Sequence, residues 1–269
     1  MSFNNIYGHS ENISFFKRIF ELKQLSHSYI FEGPEGIGKQ LFAINLAKSI
    51  MCKNTVFDSC EKCVICNKIN NMNHPDLMIV QPDGNSIKNS QIKEFQDFLS
   101  YKPNESKNKI VIINDSNKMT VSAQNSILKV LEDPPEYVII VFISNNSNNL
   151  LETIKSRCQV IRFNKLKIND ICKFLINEYG VLEKEAFSIA LFSDGIISKA
   201  FFAYENSDFL DMREKIIDYS NQLLLNNKIN AIKGIDYLNN EKDNILLIFD
   251  IMLSWIRDIL IVQNSKHQV

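Results

Sequence analysis

A short strand, a glycine-rich turn and a helix follow one another near the N-terminus, and this order limits the fold more than any other feature. The apolar run Ser28–Phe31 leads into Glu32-Gly33-Pro34-Glu35-Gly36-Ile37-Gly38-Lys39-Gln40, and an amphipathic helix through residues 41–50 follows. The turn nearly matches the phosphate-binding loop G-x-x-x-x-G-K-[ST], whose backbone N–H groups hold phosphates at a helix N-terminus. A chance glycine-rich turn would need neither flanking element, so the pattern predicts a phosphate-loop domain.

Further apolar runs alternate with helical patterns up to about residue 165. The additional strands are expected at 77–80, 110–113, 138–143 and 160–163. Alternation of strands and helices predicts a parallel sheet with helices on both faces, within an α/β domain over residues 1–164. Beyond it only helical patterns occur, at roughly 168–179, 183–192, 196–205, 208–225, 228–239 and 243–263. The break predicts that helical domains follow the α/β domain.

The residues that would bind a magnesium-nucleotide depart from the working pattern. Lys39 is expected to meet the phosphates, but Gln40 stands where a hydroxyl should bind Mg²⁺. The strand at 110–113 ends in Asn114-Asp115, whereas an active site has Asp to orient Mg²⁺ and then Glu to activate water. Two degraded contacts predict that hydrolysis is lost, while passive ATP or ADP binding stays open. The candidate nucleotide-site residues are Gly33, Gly36, Gly38, Lys39, Gln40, Asn114 and Asp115.

Four cysteines lie within fifteen residues, in the spacing C-x7-C-x2-C-x2-C, at Cys52, Cys60, Cys63 and Cys66. Four thiolates at this spacing are typical of a closed tetrahedral Zn²⁺ site, which leaves no open position for catalysis. The insertion 52–66 is therefore expected to hold structural zinc, with reduced free thiols as the alternative. Nearby lysines at 53, 62 and 68 would offset the negative charge, and Cys158 and Cys172 are expected to be ordinary buried residues.

The overall charge argues against a broad nucleic-acid surface. Basic and acidic residues number 30 and 31, and the net charge is −1, so DNA contact would need a local patch or partner chains. The first residues lack the basic and apolar segments of a signal peptide, and no apolar run is long enough to span a bilayer. A cytoplasmic protein without membrane contact is expected.

Several segments, taken in order, resemble the delta-prime subunits of bacterial DNA polymerase III clamp loaders, a branch of the AAA+ clamp-loader family. Besides the four cysteines, the matching segments are 27–34, 73–76 (Asn-His-Pro-Asp), 109–120, 125–135 and 150–158. The resemblance runs from about residue 6 to about residue 205 and is specific in its motifs. It implies an AAA+ domain with a zinc-binding insertion, a helical lid at 165–206 and a helical collar at 207–269. The collar would be short and is expected to be incomplete.

The resemblance also implies a role for Ser156-Arg157-Cys158. In the family this motif supplies an arginine in trans to the ATP of an adjacent subunit, and a local salt bridge is the alternative for Arg157. Active relatives begin the lid helix with Gly-Ser-x-Arg, whereas Gly195-Ile196-Ile197-Ser198 stands here, with Lys199 after it. The lost sensor arginine favours a delta-prime subunit.

The function that the resemblance implies is that of a non-hydrolysing scaffold. The chain would join gamma/tau and delta subunits in a hetero-pentameric ring that loads the sliding clamp onto primer-template DNA in replication. It would not be an enzyme alone, and the polymerase activity of the DNA polymerase III holoenzyme would lie in other subunits. An ATP-hydrolysing gamma/tau-type motor and a free-standing zinc-dependent DNA-binding protein are the alternatives.

Overall fold

Five strands in the N-terminal part of the chain form one parallel sheet. They are β1 (Ser28–Glu32), β2 (Leu77–Val80), β3 (Lys109–Ile113), β4 (Val138–Ser144) and β5 (Gln159–Arg162). Their order is β2-β3-β4-β1-β5, and every neighbouring pair is parallel. Because β1 lies between β4 and β5, the connections diverge at its carboxyl end, where open parallel sheets place ligand sites.

The computed structural model describes residues 2–55, 57–224, 238, 241 and 244–266. The chain divides into two compact units, Met1–Leu166 and Lys167–Val269. The helices of the first unit are α1 (Ser10–Glu21), α2 (Lys39–Met51), α3 (Val64–Asn70), α4 (Asn89–Ser100), α5 (Val121–Glu132) and α6 (Glu152–Lys155).

Burial explains why the strands are uninterrupted apolar runs. Every residue of β3 and β4 is buried, as expected for central parallel strands that helices cover on both faces. On one face α4 contributes Ile92, Phe95 and Leu99, which are buried with residues of β3 and β4 in one cluster. Helix α5 ends at Glu132, because Asp133 has a non-helical backbone. The following Pro134-Pro135 prevents the helix from continuing. The predicted α/β fold is confirmed, with strand limits shifted by one residue at most.

The second unit contains only helices in its described residues. They are α7 (Ile168–Tyr179), α8 (Glu183–Ser193), α9 (Ile197–Glu205), α10 (Phe209–Leu224) and α11 (Ile245–Lys266). Ion pairs fasten α11 to the preceding helices: Arg257 Nη1 lies 2.8 Å from Asp194 Oδ1, and Lys199 Nζ lies 2.8 Å from Asp250 Oδ2.

Part of the helical organisation expected from the sequence stays a prediction. The helix at 228–239 lies outside the described residues apart from residue 238. The chain divides once, at 166/167, so the separation of 165–206 from 207–269 stays untested. None of the helices in the described part of the chain combines the length and apolar character needed to cross a membrane.

A buried carboxylate organises the loop before β3. Asp76 is fully buried, and its oxygens accept the backbone N–H groups of Asn104, Glu105 and Ser106 at 2.7, 2.8 and 2.9 Å. The Ser106 hydroxyl adds a fourth hydrogen bond at 3.1 Å. Burial alone would raise the pKa of Asp76, but the hydrogen bonds outweigh it and hold the pKa below its ordinary value.

We predict that Asp76→Asn lowers the free energy of unfolding by roughly 2–4 kcal/mol, because an amide group then faces donors that need an acceptor. The exposed Asp97→Asn should change it by less than about 0.5 kcal/mol. Since the folded pKa is depressed, the contribution of Asp76 is full above about pH 4 and is lost as the pH falls through the folded pKa. Urea unfolding at several pH values measures this, and equal effects of the two variants would contradict it.

Candidate functional site

The glycine-rich loop connects β1 to α2 as predicted, and packing fixes its first glycine. A Cβ at Gly33 would lie 2.2 Å from the carbonyl oxygen of Phe163, the residue directly after β5. Gly36 and Gly38 have φ of 75° and 95°, which L-residues with side chains rarely adopt. Gly38 caps the N-terminus of α2, so the positive end of this helix faces the loop.

Lys39 is buried and folded back onto its own loop. Its ammonium donates to the carbonyl oxygens of Gly33 and Pro34 at 2.7 and 2.6 Å, and to Asn145 Oδ1 at 3.3 Å. Burial lowers the pKa of Lys39 to about 8, although the charges of Glu35 and Asp115 act in the opposite direction. The lysine predicted to meet phosphates is therefore at the loop and held by three oxygen atoms.

Asn145 is a site residue that the sequence interpretation missed. It directly follows β4, which pairs with β1, and its Nδ2 donates to Glu35 Oε2 at 3.3 Å while its Oδ1 accepts from Lys39. Its only signal in the sequence is a polar residue at the end of an apolar strand. That signal becomes specific once β4 is known to lie beside β1.

Positions 40 and 114, expected to bind magnesium, and position 115, expected to activate water, offer little to a cation. Gln40 is exposed at the second residue of α2. Asn114 is buried, and its Oδ1 has no hydrogen-bond partner in the described part of the chain. Asp115 has φ of 46° and pairs through Oδ2 with Lys118 Nζ at 2.8 Å. These three positions thus offer two neutral amide groups, at Gln40 and Asn114, and one carboxylate that is already paired, at Asp115.

The four cysteines converge. Their sulfur atoms all lie within 4.8 Å of one another, with Cys52 and Cys66 buried and Cys60 and Cys63 partly buried. A tetrahedral zinc ion with Zn–S bonds of about 2.3 Å separates its sulfur atoms by about 3.8 Å, so the cluster fits such an ion after small adjustments. Bound there, zinc would supply a structural crosslink.

Hydrogen bonds within the insertion favour thiolates. The backbone N–H groups of Cys63 and Cys66 donate to the sulfur atoms of Cys60 and Cys63, both at 3.4 Å. Hydrogen bonds from backbone N–H groups, first that of Lys62, lower the pKa of Cys60 to about 6. Burial opposes ionisation of Cys52, but hydrogen bonds beginning with that of Thr55 lower its pKa, whereas burial raises the pKa of Cys66. Metal binding requires the deprotonated form.

Two of the three lysines expected to offset the thiolate charge lie against Glu105. Lys68 forms an ion pair with its carboxylate, and Lys53 donates to its backbone carbonyl at 3.2 Å. Outside the cluster, Cys158 and Cys172, expected to be ordinary buried residues, are partly buried. Burial raises the pKa of Cys158 to about 11, which keeps this thiol protonated and unreactive at neutral pH.

Arg157 lies at the opposite edge of the sheet from the phosphate loop. Its backbone carbonyl oxygen accepts a hydrogen bond of 2.7 Å from the hydroxyl of Ser28, the first residue of β1. The phosphate loop begins after Glu32, the last residue of β1. Four residues of strand separate these positions by about 13 Å. The guanidinium is partly exposed and pairs with Glu132 Oε1 at 3.0 Å. The local salt bridge considered as an alternative is thus present.

Ser198, at the position where the family resemblance predicts a sensor arginine in active relatives, is the second residue of α9. Within the second unit it lines a cavity of about 440 Å³ together with Lys199 and Asp250, which form an ion pair. The neighbouring Lys199 is therefore engaged inside its own unit.

Together the sheet order, the loop and the cysteine insertion define an AAA+-type phosphate-loop protein. A family model described as DNA polymerase III, delta subunit, matches residues 8–167, more than half of the chain. The chain belongs to the DNA polymerase III delta subunit family.

Curated relatives agree with this membership. DNA polymerase III subunit delta' of Bacillus subtilis (strain 168) is 40% identical over 197 residues, which cover 73% of this chain and 59% of the relative. DNA polymerase III subunit gamma/tau of Mycoplasma pneumoniae is 31% identical over 198 residues, or 73% of this chain and 28% of the relative. The match thus spans less than two thirds of each relative.

Solved structures support the fold alone. A variant of RuvB from Thermotoga maritima aligns with a TM-score of 0.50 and 12% identity, over 87% of this chain and 70% of that one. The AAA+-type architecture expected from the sequence is confirmed by this likeness together with the sheet order.

We predict that the purified chain carries one zinc ion and that its removal lowers the melting temperature by roughly 10 °C, because metal-binding energy is folding energy. Cys63→Ser should have a similar effect, whereas Cys172→Ser, outside the cluster, should not. Elemental analysis and thermal melting with and without a chelator measure both. A metal-free chain that melts at the same temperature as the chelated one would contradict the zinc site.

Proposed function

We propose that this chain is a delta-prime-type subunit of a bacterial DNA polymerase III clamp loader. In this role it does not hydrolyse ATP, and it presents Arg157 to the ATP site of an adjacent gamma/tau subunit. The observation that carries the proposal is a contrast within one sheet: the loop edge has lost its magnesium ligands, while the opposite edge presents a partly exposed arginine. Membership of the DNA polymerase III delta subunit family supports it.

The loop edge argues for passive nucleotide binding at most. Mg²⁺ prefers charged oxygen ligands and keeps most of its water shell, so it gains little from the neutral Asn114 oxygen. Asp115 would have to leave Lys118 before it oriented water or metal. Lys39 and the loop glycines remain, so ATP or ADP could be held without turnover. Lys39 and the loop glycines would then maintain the shape of the loop and take no part in hydrolysis.

The position of Arg157 argues for action on another chain. The length of β1 separates it from the phosphate loop of its own chain, so a γ-phosphate bound there is out of reach. A guanidinium held at an exposed edge can instead stabilise the charge that develops on the γ-phosphate of a neighbour. To stabilise this charge, Arg157 needs only to lie beside the γ-phosphate that the neighbouring subunit binds.

The remaining parts of the proposal follow from that role. The chain would occupy a hetero-pentameric ring with gamma/tau and delta subunits, contact the sliding clamp and primer-template DNA through the complex, and work in the cytoplasm. The polymerase activity of the holoenzyme would belong to other subunits. Residues 165–206 would form the lid and 207–269 the collar, and Cys52, Cys60, Cys63 and Cys66 would hold structural zinc.

A gamma/tau-type motor is the second candidate. The 31% identity to a gamma/tau subunit and the intact Lys39 favour it. Hydrolysis by the chain itself separates the two candidates, because only the motor needs a working metal site.

We predict that the isolated chain with Mg²⁺ and ATP shows no phosphate release above the level of a Lys39→Ala variant. The physical reason is the absence of a hydroxyl ligand at position 40 and of a charged magnesium ligand at position 114. A coupled phosphate-release assay measures this. Turnover that disappears in Lys39→Ala would identify a motor subunit and sink the scaffold proposal.

We also predict that Arg157→Ala lowers clamp loading by the complex reconstituted with gamma/tau and delta subunits of the same organism. The loss should be tenfold or more, since trans arginines contribute about 10³–10⁵ to related reactions and other sites of the ring stay intact. Arg18→Ala, at an exposed position of α1, is the control. Equal rates for the two variants would remove Arg157 from the mechanism.

A further inference from the structure

The guanidinium of Arg157 is held by three acceptors of its own chain. Nη1 donates to the Thr153 carbonyl oxygen at 2.9 Å and to Ser156 Oγ at 3.4 Å. Nη2 donates to Glu132 Oε1 at 3.0 Å. The first two acceptors lie on the turn of α6 that carries the arginine, whereas Glu132 comes from a different helix.

This arrangement leaves part of the guanidinium available. Arginine has five N–H donors in a fixed plane, of which these contacts use both hydrogens of Nη1 and one of Nη2. For Nε–H and the second Nη2 hydrogen the described residues provide no acceptor. Two donors on a rigid plane suit a phosphate oxygen.

Glu132 is itself anchored. It is the last residue of α5, the N–H of Asp133 closes the helix onto the Lys129 carbonyl, and Pro134-Pro135 prevents an extension. The same helix buries Ile127 and Leu131 in the core of the first unit. The carboxylate therefore projects from a fixed point, and it reaches an arginine whose backbone is held by Ser28.

Stability does not account for this pair. The side chains of Arg157 and Glu132 are 35% and 56% exposed, and ion pairs at such positions contribute little because water and salt screen them. What the contact does provide is orientation. An unpaired arginine loses much rotamer freedom when it binds, whereas one already held in a single direction loses less.

We propose that Glu132 is a positioning residue for the trans arginine: it holds Arg157 with its free donors directed away from the chain, ready for a neighbour's γ-phosphate. The inference rests on the proposed function, because it assigns Glu132 a role only through Arg157. Its effect belongs to the maximal rate and not to ATP affinity, since the arginine acts most strongly on charge that develops during phosphoryl transfer.

The test measures clamp loading by the reconstituted complex as a function of ATP concentration. Glu132→Ala should lower the maximal rate about fivefold, as expected for loss of one charge-assisted hydrogen bond at a partly exposed site, with half-saturating ATP nearly unchanged. Glu132→Gln keeps an acceptor oxygen at the same reach and should recover most of the rate. Glu132→Asp keeps the charge but is shorter, and it should resemble the alanine variant.

Glu152→Gln is the matched control. It removes the ion pair between Glu152 and Lys155 in the same short helix and touches none of the contacts of Arg157. Its loading rate should equal that of the unmodified complex. Thermal melting of each purified chain should show similar transitions, and if the alanine variant misfolds, the comparison of glutamine with aspartate still decides.

Combination with Arg157→Ala separates the possible failures. If Glu132 acts through Arg157, the double variant loads at the rate of Arg157→Ala alone. An Arg157→Ala variant with full activity would overturn the proposed function itself. A slow Arg157→Ala variant beside a fully active Glu132→Ala would overturn only the positioning role. A further loss in the double variant, or faster loading by Glu132→Ala, would also overturn it.

Discussion

The insertion of β1 between β4 and β5 is the constraint on which the rest of this structure depends. Parallel pairing on both sides brings together segments that are far apart in the chain, so that residues after β1 and β4 meet at one edge. At this edge Lys39, Glu35 and Asn145 form a connected polar group. At the other edge the same pairing places the turn before β5 beside the start of β1. There the Ser28 hydroxyl donates a hydrogen bond to the backbone of Arg157, which lies in this turn. One strand thus fixes the two edges relative to each other.

Most of the fold could be predicted because its signals are local. Central parallel strands are buried on both faces, so β3 and β4 appear in the sequence as plain apolar runs. The phosphate loop and the cysteine cluster are equally local, since their residues lie within a few turns of chain. Short elements without strong periodicity, such as α3 and α6, gave no comparable signal.

The contacts that complete the candidate sites could not be predicted, because they join distant residues through the sheet order. Asn145 reaches Lys39 across 106 positions, and Glu132 reaches Arg157 across 25. Glu132 stands within a segment that suggested the family, yet nothing in that segment indicates its partner. Lys68 lies beside the cysteines in sequence, but it pairs with Glu105 on another loop. Proximity in sequence did not indicate this partner, since a long side chain can pair with any group that the fold brings within its reach.

The contact between Gly33 and Phe163 separates the shape of the loop from its chemistry. Any side chain at position 33 would clash with the backbone of Phe163, directly after β5. This strand begins at Gln159, two positions after Arg157. The glycine is therefore demanded by steric fit even in a protein that never binds a nucleotide. A loop of this kind can therefore keep its glycine for steric reasons after hydrolysis has been lost. An intact glycine pattern is thus a poor guide to whether a pocket still hydrolyses its substrate.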